Sequence, residues 1–182
     1  MPAYFTPRRR ATGYTAIELL VAISVVAVLA ALALPSYKSV IARYRVRTTV
    51  EDLKATLYFT RSEAFRRGGR VTLRKASAAN CAAPADENWS CGWIVFSDDN
   101  GNGRLDQGEE PLQASRVPMG TRVFNSSKGV EFMTTTRWGE FNGIGAFGFK
   151  VVPADSTVAA LNTVLCISAG GRLRTATGAA SC

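Results

Sequence analysis

A single carboxylate lies inside a long apolar stretch near the start of the chain. Glu18 is the only charged residue between positions 14 and 34. A carboxylate at the centre of a bilayer costs about 3 kcal/mol and is normally functional. If the chain is cut between Gly13 and Tyr14, the new amine of Tyr14 lies one helical turn from Glu18. Glu18 could then neutralise that amine or the amine of a neighbouring copy. The simpler alternative is a membrane anchor with a chance glutamate.

A second group of polar residues has the spacing of a calcium-binding loop. Asp98, Asn100, Asn102, Gly103 and Glu109 fit the pattern D-x-[DN]-x-[DN]-G-x5-E. Oxygen ligands at alternating positions, a turn glycine and a distal carboxylate are what calcium requires. However, strands rather than helices are predicted on both sides, and Asn-Gly repeats are also ordinary hairpin turns. Calcium is therefore one expectation and a plain turn the other; the sequence indicates no other cofactor.

Two arginines near the C-terminus could bind phosphate. Arg172 and Arg174 are two residues apart, so on a strand they project from the same face. Two guanidinium groups could engage neighbouring phosphates of an anionic partner. Neutralising two phosphates gives a salt slope of only about −1.8, so further cations such as Lys128, Arg137 or Lys150 would have to contribute. The alternative is a solvated strand face without a ligand.

The overall composition argues against an enzyme. The chain has no histidine, which excludes a Ser-His-Asp triad and a histidine-ligated zinc site. It also lacks a nucleophile elbow and a paired-carboxylate pattern. The net charge is +8, and loss of three leader arginines would leave 8 − 3 = +5. A basic chain favours an anionic partner such as nucleic acid or lipid headgroups.

The four cysteines indicate disulfide bonds. All of them follow the apolar stretch, and none forms a Cys-x-x-Cys pair. An even count behind a membrane segment favours two disulfides, formed in an oxidising compartment. Three pairings exist, and the sequential one, Cys81–Cys91 with Cys166–Cys182, closes the shortest loops and is the one we expect. Four buried thiols are the alternative.

The apolar stretch is long enough to span a membrane. Residues 14–34 form a 21-residue run, about 31 Å long as a helix, which matches a bilayer core. The basic leader, residues 1–13, places the N-terminus in the cytoplasm and the rest outside. A secretory signal peptide is cleaved after its apolar core, whereas here the small residue, Gly13, comes before it. We therefore expect cytoplasmic-side cleavage, with residues 14–35 retained as a transmembrane helix.

The helix is expected to continue beyond the membrane. Pro35 should kink or loosen it, after which apolar residues recur at helical spacing and basic residues fill the other face. Gly68-Gly69 is the predicted stop. One helix of roughly fifty residues results, amphipathic over residues 36–68. Its apolar stripe comprises Tyr37, Val40, Ile41, Tyr44, Val46, Val50, Leu53, Leu57 and Ala64.

Short alternating segments separated by turn residues make up the remainder, residues 69–182. The predicted strands are Val71–Lys75, Trp93–Ser97, Leu112–Val117, Thr121–Asn125, Val130–Thr134, Ala146–Val152, Thr163–Ser168 and Arg172–Ala176. The fold class is therefore α+β, with a globular antiparallel sheet head, held by two disulfides, against one long helix.

The N-terminal segment resembles a known processing site. Gly13-Tyr14-Thr15-Ala16-Ile17-Glu18-Leu19-Leu20 is similar to the prepilin site of type IV pilins and type II secretion pseudopilins. Pro35 also stands where that family has a helix-interrupting proline. The resemblance implies the type IV pilin fold, cleavage between Gly13 and Tyr14 by prepilin peptidase, and methylation of Tyr14. It also implies that residues 14–35 are the polymerisation helix and that Glu18 guides docking into the filament. Tyr14 and Ala16 depart mildly from the family's usual residues.

The head resembles one branch of that family. Residues 91–103 with Asp106 and Glu109, and residues 166–174, are similar to the minor pilins FimT and FimU and the pseudopilin GspH. The resemblance implies a low-abundance subunit that joins other minor and major pilins and primes pilus assembly at the tip. Some FimT-like pilins bind DNA through a Gly-Arg-x-Arg motif during natural transformation, which implicates Arg172 and Arg174. The alternative is a minor pseudopilin acting in type II protein secretion.

The same resemblance implies where the protein is found. Before assembly it would cross the inner membrane once, with its head in the periplasm. After assembly it would be part of the type IV pilus, at the tip.

Overall fold

A computed structural model describes residues 13–77, 81, 89–125, 130–141, 147–168, 170–178 and 182, without the side chains of 32–36, 156, 158 and 159. Apart from Gly13, the predicted leader lies outside the described residues. The chain divides into two compact units, residues 1–38 and residues 39–182. The second unit contains both sheets.

One long helix, α1, runs from Ala16 to Arg67 over 52 residues, which confirms the predicted length. The helix does not end at Pro35, whose side chain lies outside the described part. It stops where predicted, because Gly68 and Gly69 take positive φ angles of 76° and 101°. The Gly69 amide donates to the Ala64 carbonyl oxygen at 2.8 Å, which satisfies a carbonyl of the last turn.

The predicted membrane span, residues 14–35, is not identified as a membrane-crossing helix in the described residues. Among the described residues, no helix combines the length and apolar character needed to cross a membrane. The side chains of residues 32–36, within and next to the predicted span, lie outside the described part. The span therefore stays a prediction.

In the described segments, eight antiparallel strands follow the helix, close to the predicted positions. They are β1 Val71–Lys75, β2 Trp93–Ser97, β3 Pro111–Ser115, β4 Thr121–Asn125, β5 Phe132–Thr135, β6 Phe147–Pro153, β7 Thr163–Ile167 and β8 Leu173–Thr177. A 3₁₀ helix, Ser156–Leu161, precedes β7 and was not predicted. The start of the predicted strand at residue 146 lies outside the described residues.

The described strands form two sheets, a division that the predicted antiparallel sheet head did not specify. The first sheet has the order β3-β2-β1-β5 and the second the order β4-β6-β7-β8. Strand periodicity shows which side chains face inward but not which strand is the neighbour, so this division was not visible in the sequence. The α+β class itself is confirmed.

The second unit is held together by an apolar core between α1 and the sheets. From the predicted stripe, the core contains Val46, Val50, Leu53, Leu57 and Ala64. Each large side chain buried here contributes about 1.5–3 kcal/mol. The earlier stripe members Tyr37, Val40 and Tyr44 are instead exposed.

Aromatic residues fill the centre of this core. Trp89 packs edge-on against Phe149, with ring centroids 5.0 Å apart. Trp93 is buried, and its indole Nε1 donates to Thr56 Oγ1 on α1 at 3.0 Å. A polar tether of this kind fixes the helix against the first sheet, because the indole N–H would otherwise be buried without a partner.

Candidate functional site

The residues of the predicted processing site lie at the start of α1. Tyr14 is 88% exposed, and a side chain placed on Gly13 would meet nothing within 4 Å. The peptide bond between them is thus open to approach. Glu18 lies in the first turn of the helix.

Glu18 is engaged in a reciprocal helix cap. Its Oε2 accepts hydrogen bonds from the Thr15 amide and the Thr15 hydroxyl, both at 2.9 Å. In return, Thr15 Oγ1 accepts from the Glu18 amide at 3.3 Å. This is the capping box of a Thr-x-x-Glu segment. Sequence reasoning missed Thr15 as a functional partner, although the spacing of Thr15 and Glu18 was a sufficient signal.

The two predicted phosphate-binding arginines lie at the edge of the second sheet. Arg174 is on the edge strand β8 and pairs with Cys166 of β7. Arg172 lies two residues earlier, just before the strand, whereas the sequence placed it within the strand. Both side chains are exposed.

A short turn positions Arg172. The Ser168 amide donates to the Arg172 carbonyl oxygen at 3.0 Å, and the Arg172 amide donates to Ser168 Oγ at 3.0 Å. Gly171 has a φ of 76°, which favours glycine. Arg61 of α1 donates Nη1 to the Gly171 carbonyl oxygen at 2.9 Å. The turn is therefore fixed to the helix by a residue that the sequence did not single out.

A disulfide supports the same region. Cys166 and Cys182 are bonded, with Cα atoms 5.6 Å apart. Cys81 and Cys91 form the other bond, with Cα atoms 5.4 Å apart. These are the two sequential pairs expected from the sequence. The Cys166–Cys182 bond fixes Cys182 to β7, beside Arg174.

Strand register brings two further cations to the face of Arg174. Lys150 of β6 pairs with Val164 of β7, and Val164 pairs with Ala176, two residues from Arg174. Directly paired residues and residues two apart share one face of a sheet. Arg122 of β4 pairs with Val152, two residues from Lys150. Arg122, Lys150 and Arg174 therefore share one face; with Arg172 at its edge, we call it the basic face.

The basic face carries no compensating charge. Strands β4, β6, β7 and β8 contain no Asp or Glu. Among the described residues, no carboxylate forms an ion pair with any of the four cations. Arg122 was missed in the sequence because only register places it here. Of the other suggested helpers, Arg137 follows β5 of the first sheet, and Lys128 lies outside the described residues.

The acidic loop between β2 and β3 begins with a buried carboxylate. Asp98 is 0% exposed. Its Oδ2 accepts from the Thr72 hydroxyl at 2.7 Å and from the Gly103 amide at 2.9 Å. Within the described part of the chain, its Oδ1 has no hydrogen-bond partner.

The other predicted calcium ligands are bound within the loop. Asn100 and Asn102 donate their Nδ2 groups to Asp106 Oδ2 at 2.9 Å and 2.6 Å. Both bonds lower the pKa of the Asp106 carboxyl, and the bond from Asn100 has the larger effect. Glu109 accepts from the Asp99 amide at 3.0 Å and from the Asp106 amide at 2.9 Å.

Carboxylates alone do not form a metal centre here. In the part of the chain that the structure describes, no three Asp, Glu, His or Cys side chains cluster so that they could hold a metal ion. Any cation site in the loop would therefore need amide and carbonyl oxygens as well.

The fold and sequence are similar to those of known proteins. The sequence profile of the family described as type II transport protein GspH matches residues 49–174. Two crystal structures of the type IV minor pilin FimU from Pseudomonas aeruginosa, in space groups P65 and P21, have a similar fold at 23% identity. The first covers 75% of this chain and 98% of FimU with a TM-score of 0.53; the second covers 77% and 96% with a TM-score of 0.56. No curated protein sequence matches the chain.

The profile match spans most of the second unit, including α1 from residue 49, both sheets and the turn at Gly171. The FimU structures show the same fold, a helix packed on antiparallel sheets. The chain therefore belongs to the GspH family of minor pilins and pseudopilins.

Proposed function

We propose that this protein is a minor pilin of a type IV pilus, which primes assembly at the tip and binds double-stranded DNA through the basic face. The family match and the similarity to the FimU fold support a pilin. The basic face carries the DNA part of the proposal. We consider the two parts in turn.

Assembly begins with the precursor held in the inner membrane by residues 14–35, its head in the periplasm. Prepilin peptidase cuts the exposed bond between Gly13 and Tyr14, and Tyr14 is then methylated. Glu18 supplies the charge that neutralises the new amine of its own or a neighbouring copy. The reciprocal bonds with Thr15 hold this carboxylate at the helix start in the uncut chain, ready for that exchange.

DNA binding uses the four cations as phosphate ligands. Adjacent strands lie about 4.8 Å apart and residues along a strand about 3.3 Å apart, so Lys150 and Arg174 are separated by on the order of 12 Å. Spacings of this order let separate side chains reach separate phosphates. Each guanidinium can bond two phosphate oxygens. Contacts with the phosphate backbone provide affinity without sequence preference.

Deletion of the gene tests the assembly role. If the protein primes a pilus, surface pili should be lost while secreted proteins stay at wild-type levels. Normal piliation with a loss of secreted proteins would assign the chain to a type II secretion pseudopilus instead. Complementation with the intact gene is the control for effects on neighbouring genes.

Fluorescence anisotropy with labelled duplex DNA tests the binding role, using the full-length chain in detergent. Arg172→Gln with Arg174→Gln should weaken binding at least tenfold, because two of four phosphate contacts are lost. Arg104→Gln with Arg116→Gln is the matched control, since it removes two exposed guanidinium groups away from the basic face. Equal loss in both double variants would show that only total charge matters and would refute the proposed site.

A further inference from the structure

The loop between β2 and β3 is an acidic exception on a basic chain. Residues 98–110 contain five carboxylates and one arginine, a net charge of −5 + 1 = −4, while the whole chain carries +8. One of the five, Glu110, forms an ion pair with Arg67 at 2.7 Å. The others are gathered between two strands, where their mutual repulsion would be relieved by a cation.

The backbone of this loop has the turn that a calcium loop requires. The motif runs over twelve positions, from Asp98 to Glu109, with Gly103 at the sixth. Gly103 adopts a φ of 71°, and a Cβ there would lie 2.3 Å from the Phe132 ring. Only glycine fits this position, which is where the calcium-loop pattern has its invariant glycine.

Three of the ligand positions already converge. The third, fifth and ninth positions are Asn100, Asn102 and Asp106, and both amide groups donate to the same Asp106 oxygen. The sequence pattern alone does not require this meeting, because the ninth position is variable in the motif. A cation placed among them would take oxygen ligands from all three side chains.

An independent observation comes from the first position. Asp98 is fully buried, yet its Oδ1 has no hydrogen-bond partner among the described residues. Its other oxygen, Oδ2, accepts from the Thr72 hydroxyl of β1 and from the Gly103 amide, so the carboxylate contacts the backbone of the loop. An unpartnered buried carboxylate oxygen is strongly unfavourable, and a bound cation is the partner that removes this cost.

We propose that residues 98–109 bind one calcium ion. Calcium would gather the side chains of Asp98, Asn100, Asn102, Asp106 and Glu109, whose three carboxylates do not cluster in the described residues, together with the main-chain oxygen of Arg104. Amide and carbonyl oxygens in a flexible loop with six or more ligands suit calcium, whereas magnesium demands a smaller, octahedral site. Because two ligand positions are Asn rather than Asp, affinity is in the range of extracellular modules, with a Kd of about 10⁻⁴ M.

Calorimetry and thermal unfolding test this, on the full-length chain in detergent after removal of divalent ions with EDTA. Calcium chloride should bind at one ion per chain and, at 5 mM, raise Tm by about 5 °C relative to EDTA. Magnesium chloride at the same concentration should produce less than half of that shift. Absence of both heat and a calcium-dependent Tm shift would overturn the site.

Two variants with the same charge change separate a site from a diffuse acidic surface. Glu109→Gln removes the distal carboxylate and should weaken calcium binding at least tenfold. Asp99→Asn removes an exposed neighbouring carboxylate that the motif does not use, and should change the Kd less than threefold. Equal weakening in both would contradict a built site.

A third variant covers the case in which Glu109→Gln does not fold. Asn100→Asp adds a charged ligand at the cost of the hydrogen bond from the Asn100 amide to Asp106, and should tighten calcium binding about tenfold, since affinity follows ligand charge. An unchanged affinity in Asn100→Asp would overturn the assignment of that position.

Discussion

Arg61 and Gly171 are joined by a hydrogen bond across 110 positions of the chain, from Nη1 to the carbonyl oxygen at 2.9 Å. This bond connects α1 to the turn that presents Arg172. The part of α1 that belongs to the second unit is therefore in direct contact with the proposed DNA-binding turn. A change at Gly171 should therefore affect both the stability of the second unit and its proposed binding of DNA.

Gly171→Ala should lower the free energy of unfolding by about 1–2 kcal/mol. The new Cβ would lie 2.7 Å from Arg61 Nη1, and the φ of 76° is strained for alanine. Gly170→Ala is the control, because a Cβ there meets nothing within 4 Å. Urea unfolding measures both, and equal stability of the two variants would show that the contact with Arg61 is not restrictive.

Glu63, which lies near the end of α1, should make the free energy of unfolding depend on pH. Its Oε2 accepts from Arg66 Nη2 at 2.7 Å and from Arg67 Nε at 3.0 Å. Both hydrogen bonds lower the pKa of Glu63, and the bond from Arg66 has the larger effect. A pKa that is lowered in the folded state stabilises the fold at pH values above the ordinary glutamate pKa. This stabilisation is lost as the pH falls through the folded-state pKa. Glu63→Gln should therefore cost about 1 kcal/mol at pH 7 and less at pH 3.

Urea unfolding at both pH values measures the effect of Glu63→Gln. Glu51→Gln is the control, since Glu51 is 59% exposed in its pair with Lys54 and such surface pairs contribute little. A loss of the same size at pH 3 and pH 7 would mean that packing, and not the charge of Glu63, is responsible.

Local pattern was enough to predict the long helix and the strands of this fold. Gly68-Gly69 ended the helix as expected, and the alternation of segments such as Thr121–Asn125 marked the strands. The division into two sheets was not predictable, because alternation does not reveal strand partners. The proposed basic face shows the same limit: Arg172 and Arg174 are neighbours in sequence, whereas Arg122 joins them only through the register of β4 and β6.

The side-chain contacts within the acidic loop could also not be predicted from the sequence. The spacing of Asp98, Asn100 and Asn102 was recognised, but the convergence on Asp106 depends on how the loop folds back. The burial of Asp98 follows from packing beside Thr72 of β1, a contact between residues far apart in the chain. Periodicity reports none of these relationships.

Gly13→Leu should leave the leader uncut. Gly13 has open space around it, so the larger side chain would not disturb folding, and any effect would arise from recognition by the peptidase. Mass spectrometry of the membrane fraction should find the uncut chain in the variant and a chain starting at Tyr14 in the wild type. The same cleavage in both would argue against prepilin processing at this bond.

The dependence of DNA affinity on salt should count the cations of the basic face. Four phosphate contacts predict a slope of log affinity against log salt of about −3.6, and two contacts about −1.8. Arg122→Gln and Lys150→Gln should each make the slope shallower by about 0.9. Arg137→Gln should leave the slope unchanged, because Arg137 lies beyond β5 of the other sheet. A wild-type slope near −1.8, with no effect of Arg122→Gln, would restrict the contact to Arg172 and Arg174 and remove β4 and β6 from the binding surface.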